Sequence, residues 1–178
     1  MWIAEGVEVR REIDMGALAP MFESASYQTR SLNRAFFEIR LDVDEAAAVV
    51  AEEGDLLARL EMTGGDWASI VQLLDQRFEG GGETSALDAG VAGAVAALSA
   101  GGACTISSCN GGTLGDGHAE DLPTILFVCQ VDAATTVLTA AEAADCGLIN
   151  RYGSLELFAD DLRRMNRFAR ELLALLRS

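Results

Sequence analysis

The order of strand and helix patterns along this chain predicts an α+β fold, in which helices cover a mixed or antiparallel sheet and a long amphipathic helix ends the chain. From Ser85 onward the pattern is helix, strand, strand, helix, strand, helix, and the two successive strands favour an antiparallel pair. Residues 160–178 repeat apolar side chains at helical spacing. Half of the 178 residues are hydrophobic, which is enough for one core. We therefore expect a single domain over residues 1–178.

The first half of the chain contains one strand pattern and two helical patterns. Residues 35–41 are rich in aromatic and branched side chains and predict a strand. Asp44 then suits the N-cap of an alanine-rich helix, in which Gly54 leaves open whether the pattern is one helix or two. Asp66 begins another helix, which ends at the three glycines within residues 79–83. This glycine-rich segment is a predicted linker and a candidate subdomain boundary.

The second half of the chain alternates between strand and helix periodicity. Ser85 and Asp88 resemble a capping box, a pair that satisfies free amides at the start of a helix. Strand-forming residues predict strands at 104–108, 124–130 and around 155–158. Asp132 suits the cap of a helix that closes near Gly147, and Asp160 begins the final helix. A long connection over residues 109–123 joins the first two strands.

A net charge of -15 limits the partners of this chain. Such a surface repels phosphate backbones and anionic lipids, so we expect neither nucleic acid nor a membrane as a partner. Lysine is absent, which excludes a lysine Schiff base and a P-loop lysine. The first residues lack the apolar core of a signal peptide, and no later apolar stretch is long enough to cross a membrane. We therefore expect a cytoplasmic protein with free thiols.

Residues 101–130 contain the single histidine and three of the four cysteines. These four side chains, Cys104, Cys109, His118 and Cys129, are potential zinc ligands. In a regular strand, however, alternation places Cys104 and Cys109 on opposite faces, whereas tetrahedral ligation needs every ligand near one point. We therefore predict no metal site in this segment, and the expected state of each cysteine is a free thiol.

The connection between the two strands is the main candidate for a functional site. It is longer than most hairpin loops and contains four glycines, which suit either a ligand-binding loop or plain flexibility. Cys109 and His118 are the candidate catalytic residues, because an imidazole beside a thiol can activate it as a nucleophile. The candidate ligand-binding residues around them are Ser107, Ser108, Asn110, Gly111 and Gly112. Structural burial of the cysteines is the alternative.

One short segment also carries a family resemblance. Thr105-Ile106-Ser107-Ser108-Cys109-Asn110-Gly111 resembles the T-x-S-S-C-S-G segment of the wybutosine-synthesis methyltransferase family, which methylates a modified guanosine in transfer RNA with S-adenosylmethionine. The family segment continues with an arginine where this chain has Gly112. The resemblance therefore implies a similar strand and loop geometry, with Ser107, Ser108 and Cys109 lining a cleft, and it does not carry the family's activity.

The C-terminal helix carries a basic stripe beside its apolar face. Arg163, Arg167 and Arg170 follow one another at helical spacing, so they either pair with the chain's own carboxylates or form a docking surface for an acidic partner or a second copy. Leu173 and Leu175 widen the apolar face, which favours burial of the helix on two sides. The helix is then buried either within the core of the chain or in the interface of a homo-oligomer formed through this helix.

Two clusters of carboxylates lie in the first half of the chain, Asp42 with Asp44 and Glu45, and Glu52 with Glu53 and Asp55. Neither has the loop spacing of a calcium site, so we interpret both as solvated helix starts. The function that the sequence favours is a binding module for a small molecule or a protein, with its site at the loop from Cys109 to His118. The alternative is a small enzyme, which uses either the Cys109 and His118 thiol pair or an unidentified cofactor for group transfer.

Overall fold

A mixed five-stranded sheet and four α-helices form the part of the chain that the computed structural model describes, which is residues 7–18, 39–62, 87–111, 120–151 and 154–178. The strands are β1 (Arg11–Glu12), β2 (Cys104–Asn110), β3 (Pro123–Val128), β4 (Gly147–Arg151) and β5 (Ser154–Phe158). The helices are α1 (Val43–Met62), α2 (Ala92–Ala100), α3 (Val131–Ala144) and α4 (Leu162–Leu176). The predicted α+β class is confirmed.

The sheet has the strand order β1-β4-β5-β3-β2. Its first pair, β1 with β4, is parallel, and the other three pairs are antiparallel, including the predicted pair of β2 with β3. Alternate residues of β3, β4 and β5 form one apolar face, which is fully buried against the helices: Ile125, Phe127, Leu148, Leu155 and Leu157. The core therefore lies between this face and the helical layer.

Helix α2 is buried along most of its length. Every residue from Ala92 to Leu98 is buried, because α2 packs against α1 and α4 and also contacts β2. Its alanine and glycine residues let neighbouring helices approach closely. At Gly93, for example, an added Cβ would lie 2.5 Å from the Oε2 atom of Glu53 on α1.

The single helix α1 settles whether the alanine-rich pattern is one helix or two, since Gly54 lies in its interior. Its cap is Asp42 rather than the predicted Asp44. The Oδ1 atom of Asp42 accepts hydrogen bonds from the backbone N–H groups of Asp44 at 2.9 Å and Glu45 at 2.8 Å. The side chain of Glu45 in turn accepts from the Asp42 N–H at 2.9 Å, which completes a capping box.

The final helix, α4, is amphipathic as predicted, and it begins one residue later than expected. Its N-cap is Asp161, whose side chain accepts a hydrogen bond from the Arg163 N–H at 2.8 Å. The helix packs against α1, α2 and α3, so its wide apolar face is buried on more than one side within the chain itself. Leu173 is buried, whereas Leu175 is 36% exposed.

Two helix boundaries differ from the prediction. The segment from Asp88 to Gly90 is a turn, so Asp88 lies ahead of α2 rather than in its first turn, and Ser85 is outside the described residues. Helix α3 ends at Ala144, where Asp145 takes a left-handed conformation with φ of 58°. Its N-cap is Gln130, and the predicted cap Asp132 lies in the first turn.

Strand β4 was not predicted, because Gly147 suits the end of a helix. In the structure Gly147 lies opposite Phe158 of β5, and an added Cβ would stand 2.1 Å from the Cζ atom of the Phe158 ring. The glycine therefore makes room for an aromatic ring within the sheet, a use of glycine in strands that local sequence does not distinguish from a helix end.

Several predictions fall on residues that the structure does not describe. They are the helix from Asp66, the linker at 79–83 and most of the strand at 35–41. Residues 39–41, the described end of that predicted strand, are bound to α2 instead of to the sheet. The Ser99 hydroxyl of α2 donates a hydrogen bond to the Ile39 carbonyl at 2.6 Å and accepts one from the Leu41 N–H at 3.2 Å. Among the described helices, none is both long and apolar enough to span a membrane.

Candidate functional site

A β-bulge in β2 decides which side chains share a face at the candidate site. The register against β3 shifts between Thr105 and Ser107, so one extra residue is inserted and the alternation reverses. The residues opposite one face of β3 are consequently Cys104, Ser107 and Cys109, which pair with Val128, Leu126 and Thr124. The prediction that Cys104 and Cys109 point to opposite faces was therefore wrong, because it assumed a regular strand.

The same register separates two predicted ligand-binding residues. Ser108 lies opposite Ile125, which belongs to the core face, whereas Ser107 lies opposite Leu126 on the other face and is exposed. Cys129, which follows β3, is fully buried in the core. Within the described ranges, His, Cys, Asp and Glu side chains form no group of three placed to hold a metal ion.

Three polar side chains near Cys109 lie on the face of the sheet that points away from the core. Thr124 donates its hydroxyl to the Oε1 atom of Glu156 at 3.1 Å, and Arg151 pairs with the same carboxylate oxygen. Glu156 is only 7% exposed. We refer to Ser107, Cys109, Thr124, Arg151 and Glu156 together as the polar sheet face. Sequence reasoning missed Thr124, Arg151 and Glu156. The signal available for Glu156 was that it is the lone carboxylate inside the otherwise apolar strand β5.

The base of the long loop is closed by backbone contact. Gly111 has φ of 70°, and a Cβ added there would lie 2.4 Å from the carbonyl carbon of Leu122. Just before it, Asn110 lies opposite Pro123 as the last pair of the two strands. The loop therefore leaves the sheet through a tight neck that only glycine permits at this position.

A second set of hydrogen bonds anchors this neck to the helical layer. Asn110 is 5% exposed, and its side-chain amide donates to the Ala89 carbonyl at 3.3 Å. Its backbone N–H donates to the Oδ2 atom of Asp88 at 3.4 Å. The side chain of Asn110 thus holds the neck against the turn before α2, and the neck has a rigid support.

The sulfur of Cys109 receives a hydrogen bond at this neck. The Gly111 N–H donates to the Sγ atom at 3.3 Å, and the Cys109 side chain is half-buried. A donor in this position orients the sulfur. The predicted partner His118 and the predicted ligand-binding residue Gly112 lie outside the described residues.

The other thiols differ from Cys109 in their surroundings. Burial raises the pKa of the Cys129 thiol to about 11. Burial also raises the pKa of the Cys146 thiol to about 12, against the opposing charges of Arg164 and Arg11. Cys104 is half-buried on the same face as Cys109. None of the four cysteines forms a disulfide, and the two on β2 are less buried than Cys129 and Cys146.

One carboxylate that the sequence places at a solvated helix start is in fact completely buried. Glu53 of α1 is 0% exposed and accepts a hydrogen bond from the Gly90 N–H at 2.9 Å. Asn166 of α4 donates to the other carboxylate oxygen of Glu53 at 3.3 Å and to the Val50 carbonyl at 3.0 Å. The interpretation of Glu53 as a surface charge was wrong, because α2 and α4 close over that side of α1.

Comparison of the whole chain with protein-family models, with curated proteins and with solved structures gave no match. The segment that carries the family resemblance runs through the bulge of β2 and into the neck at Gly111.

Proposed function

We propose that this protein is a binding module for a small molecule or a protein, and that its site comprises the loop from Cys109 to His118 and the polar sheet face beside it. The observation that carries the proposal is the closed neck at Gly111, anchored through Asn110 to the turn before α2. Loops that bind ligands are commonly presented by a rigid scaffold, and this loop leaves the sheet from a fixed base.

The polar sheet face gives the proposed site its chemistry. Ser107 and Cys109 lie beside Thr124, whose hydroxyl is already oriented by Glu156. Arg151, on the next strand but one, balances the charge of that carboxylate. Such a surface presents hydroxyl and thiol groups on strands, beside a guanidinium and a carboxylate that pair with each other, and it suits recognition of a polar ligand without any catalytic geometry.

The test is a thermal-shift screen against a defined set of nucleotides, amino acids, organic acids and sugar phosphates. We expect at least one compound to raise the melting temperature of the wild-type protein. That compound should bind at least about tenfold more weakly to the variant Ser107→Ala/Cys109→Ala, a loss on the order of 1.4 kcal/mol. The matched control is Thr135→Ala/Thr139→Ala, which removes two exposed hydroxyls from α3, outside the neck and the polar sheet face.

Two results would contradict the binding proposal. One is a ligand that binds the two double variants equally well, which would place the site elsewhere. The other is hydrogen exchange over residues 110–122 that stays fast in every complex, because a ligand held by this loop must order it.

A second candidate function is thiol catalysis by Cys109 with His118 as its base, and the Gly111 N–H bonded to Sγ is the observation in its favour. Under this proposal, iodoacetamide modifies Cys109 faster than it modifies a free thiol near neutral pH, and His118→Ala slows that rate. If the rate equals that of a free thiol and His118→Ala leaves it unchanged, the protein does not activate this sulfur.

Self-association through α4 and a cytoplasmic location also remain proposals. The partly exposed Leu175 supports a contact between copies, although the rest of the apolar face is buried within the chain. The absence of a disulfide among the four cysteines supports a reducing compartment. Light scattering that reports a monomer at high micromolar concentration would contradict self-association. A fluorescent fusion tests the cytoplasmic location.

A further inference from the structure

The turn directly before α2 is a β-turn of four residues, from Asp88 to Val91. Its closing hydrogen bond runs from the Val91 N–H to the Asp88 carbonyl at 3.3 Å. Gly90, the third residue, has φ of 94°, whereas the φ of Ala89, the second residue, is negative, a combination typical of a type II turn. The peptide between Ala89 and Gly90 takes no part in the closing hydrogen bond, so its N–H and C=O can bond to groups outside the turn.

This one peptide group bridges two parts of the molecule. Its N–H, which belongs to Gly90, donates to the Oε1 atom of the buried Glu53 on α1 at 2.9 Å. Its C=O, which belongs to Ala89, accepts from the side-chain amide of Asn110 at 3.3 Å. A trans peptide is planar, and its N–H and C=O point in opposite directions. Glu53 and Asn110 therefore bond to opposite sides of a single rigid unit.

The two hydrogen bonds fix the orientation of this peptide. Type I and type II turns differ by a rotation of the central peptide through roughly 180°. The rotated form would direct the Ala89 carbonyl at the Glu53 carboxylate, where two acceptors meet, and the Gly90 N–H at the Asn110 amide, where two donors meet. Both hydrogen bonds are consequently made in one orientation and lost together in the other.

The packing around the turn keeps it in contact with Glu53. A Cβ added at Gly90 would lie 2.6 Å from the Cδ1 atom of Leu162 at the start of α4. A Cβ added at Gly93 of α2 would lie 2.5 Å from the Oε2 atom of Glu53, and that oxygen also accepts a hydrogen bond from Asn166 of α4. The carboxylate is thus held by α2 and α4 while it binds the turn.

Asn110 transmits the orientation of the turn to the neck of the loop. Besides the contact of its side chain with Ala89, its backbone N–H donates to the Oδ2 atom of Asp88 at 3.4 Å, so the turn holds this residue at two points. The next residue is Gly111, whose N–H donates to the Sγ atom of Cys109. A rotated peptide in the turn would therefore displace the residues from which the loop leaves the sheet.

We propose that Glu53 is a positioning residue for the loop from Cys109 to His118, because it selects the orientation of the Ala89–Gly90 peptide and, through Asn110, the geometry of the neck. Since Glu53 is completely buried, it acts on the site only through these contacts. The effect on a bound compound rests on the proposed binding function, whereas the effect on the neck is a property of the protein alone.

Three variants of the full-length protein test this role. Glu53→Leu removes the acceptor of the Gly90 N–H, whereas Glu53→Gln keeps an oxygen for it and replaces the oxygen that Asn166 contacts. Asn166→Leu is the matched control, because it removes the other hydrogen bond of the carboxylate and leaves the Gly90 contact in place. Amide hydrogen exchange measured by NMR reports the neck at Asn110 and the whole fold at Val137, which is buried in α3.

We expect Glu53→Leu to accelerate exchange of the Asn110 amide at least about tenfold. Glu53→Gln should rescue the neck, with Asn110 within about threefold of wild type. Asn166→Leu should accelerate Val137 but leave Asn110 within about threefold of wild type. Equal acceleration of Asn110 by Glu53→Leu and Asn166→Leu would mean that Glu53 only stabilises the fold, and the proposal would then be wrong. An Asn110 amide that is unchanged in Glu53→Leu would also overturn it.

A measurement on the wild-type protein tests the same bridge even if Glu53→Leu does not fold. Because one peptide joins Glu53 to Asn110, the amides of Gly90 and Asn110 should become exposed in the same opening, with the same free energy and the same dependence on urea. An Asn110 amide that exchanges through an opening in which Gly90 stays protected would contradict the proposal.

The compounds of the thermal-shift set distinguish this proposal from the proposed function. A compound that stabilises the wild-type protein should bind Glu53→Leu at least about tenfold more weakly, and Glu53→Gln within about threefold of wild type. If Glu53→Leu accelerates exchange at Asn110 but binds that compound as tightly as the wild type does, Glu53 positions the neck and the binding function of the loop is wrong. The exchange experiment contains no added compound, so the two proposals fail separately.

Discussion

The side-chain amide of Asn166 on α4 donates a hydrogen bond to the Glu53 carboxylate on α1 at 3.3 Å, and both residues are buried. The other oxygen of that carboxylate accepts from the Gly90 N–H, in the turn that also holds Asn110. One buried acid thus connects the helical layer, the turn before α2 and the neck of the candidate binding loop.

Removal of the Glu53 carboxylate is expected to destabilise the fold. Glu53→Ala leaves the Gly90 N–H without its acceptor in a dry environment and removes one of the two acceptors of the Asn166 amide, so we expect the free energy of unfolding to fall by about 2–4 kcal/mol. Urea denaturation measures this change. Asp55→Asn, at an exposed carboxylate on the same helix, should change it by less than about 0.5 kcal/mol. Equal effects of the two variants would contradict the role of Glu53.

The neck of the loop predicts a difference between two glycines with similar backbone angles. Gly111→Ala places a Cβ 2.4 Å from a backbone carbon at Leu122, so we expect a loss of about 3 kcal/mol or more from strain and overlap together. Gly102, with φ of 78°, has no atom within 4 Å of its added Cβ, so Gly102→Ala should cost only about 1–2 kcal/mol. Chemical denaturation of both variants tests the contrast, and equal losses would mean that the neck is open.

Thiol accessibility follows from the two environments of the cysteines. We expect iodoacetamide at neutral pH to modify Cys104 and Cys109 in the folded protein, whereas Cys129 and Cys146 react only after unfolding, because both are completely buried. Mass spectrometry of peptides at increasing reaction times distinguishes the four sites. Modification of Cys129 as fast as Cys109 would be inconsistent with its position in the core.

The same two buried thiols predict how stability depends on pH. Their pKa values in the folded protein, about 11 and about 12, exceed the ordinary value of 9.0. The unfolded chain therefore loses these protons first, and the free energy of unfolding should decrease as the pH rises from about 9 toward 12. Each thiol contributes on the order of 3 kcal/mol across that window.

Denaturation at about pH 8 and about pH 10.5 measures this decrease, and Cys129→Ala/Cys146→Ala provides the control. The double variant is less stable at both pH values because it leaves cavities, but its decrease between them should be smaller than that of the wild type. An unchanged decrease would attribute the pH dependence to other groups.

The elements that sequence reasoning predicted well are those whose signal is local. The apolar spacing of α4 and the branched residues of β3 reflect a helix or strand that buries one face, and burial of one face leaves a periodic pattern. The antiparallel pairing of β2 with β3 followed from their order along the chain. The interpretation of Gly147 as a helix end missed strand β4. Glycine is required there because the Phe158 ring on the neighbouring strand occupies the space of a side chain.

The sequence by itself determined the fold class, the acidic surface and the segment in which the candidate site lies, because composition and periodicity depend only on the residues themselves. Only the tertiary structure decided that Cys104 and Cys109 share a face and that Glu53 is buried. A bulge depends on the register against a partner strand, and burial of a charge depends on which helices close over it. Both are relations between residues far apart in the chain, and a local pattern carries no record of them.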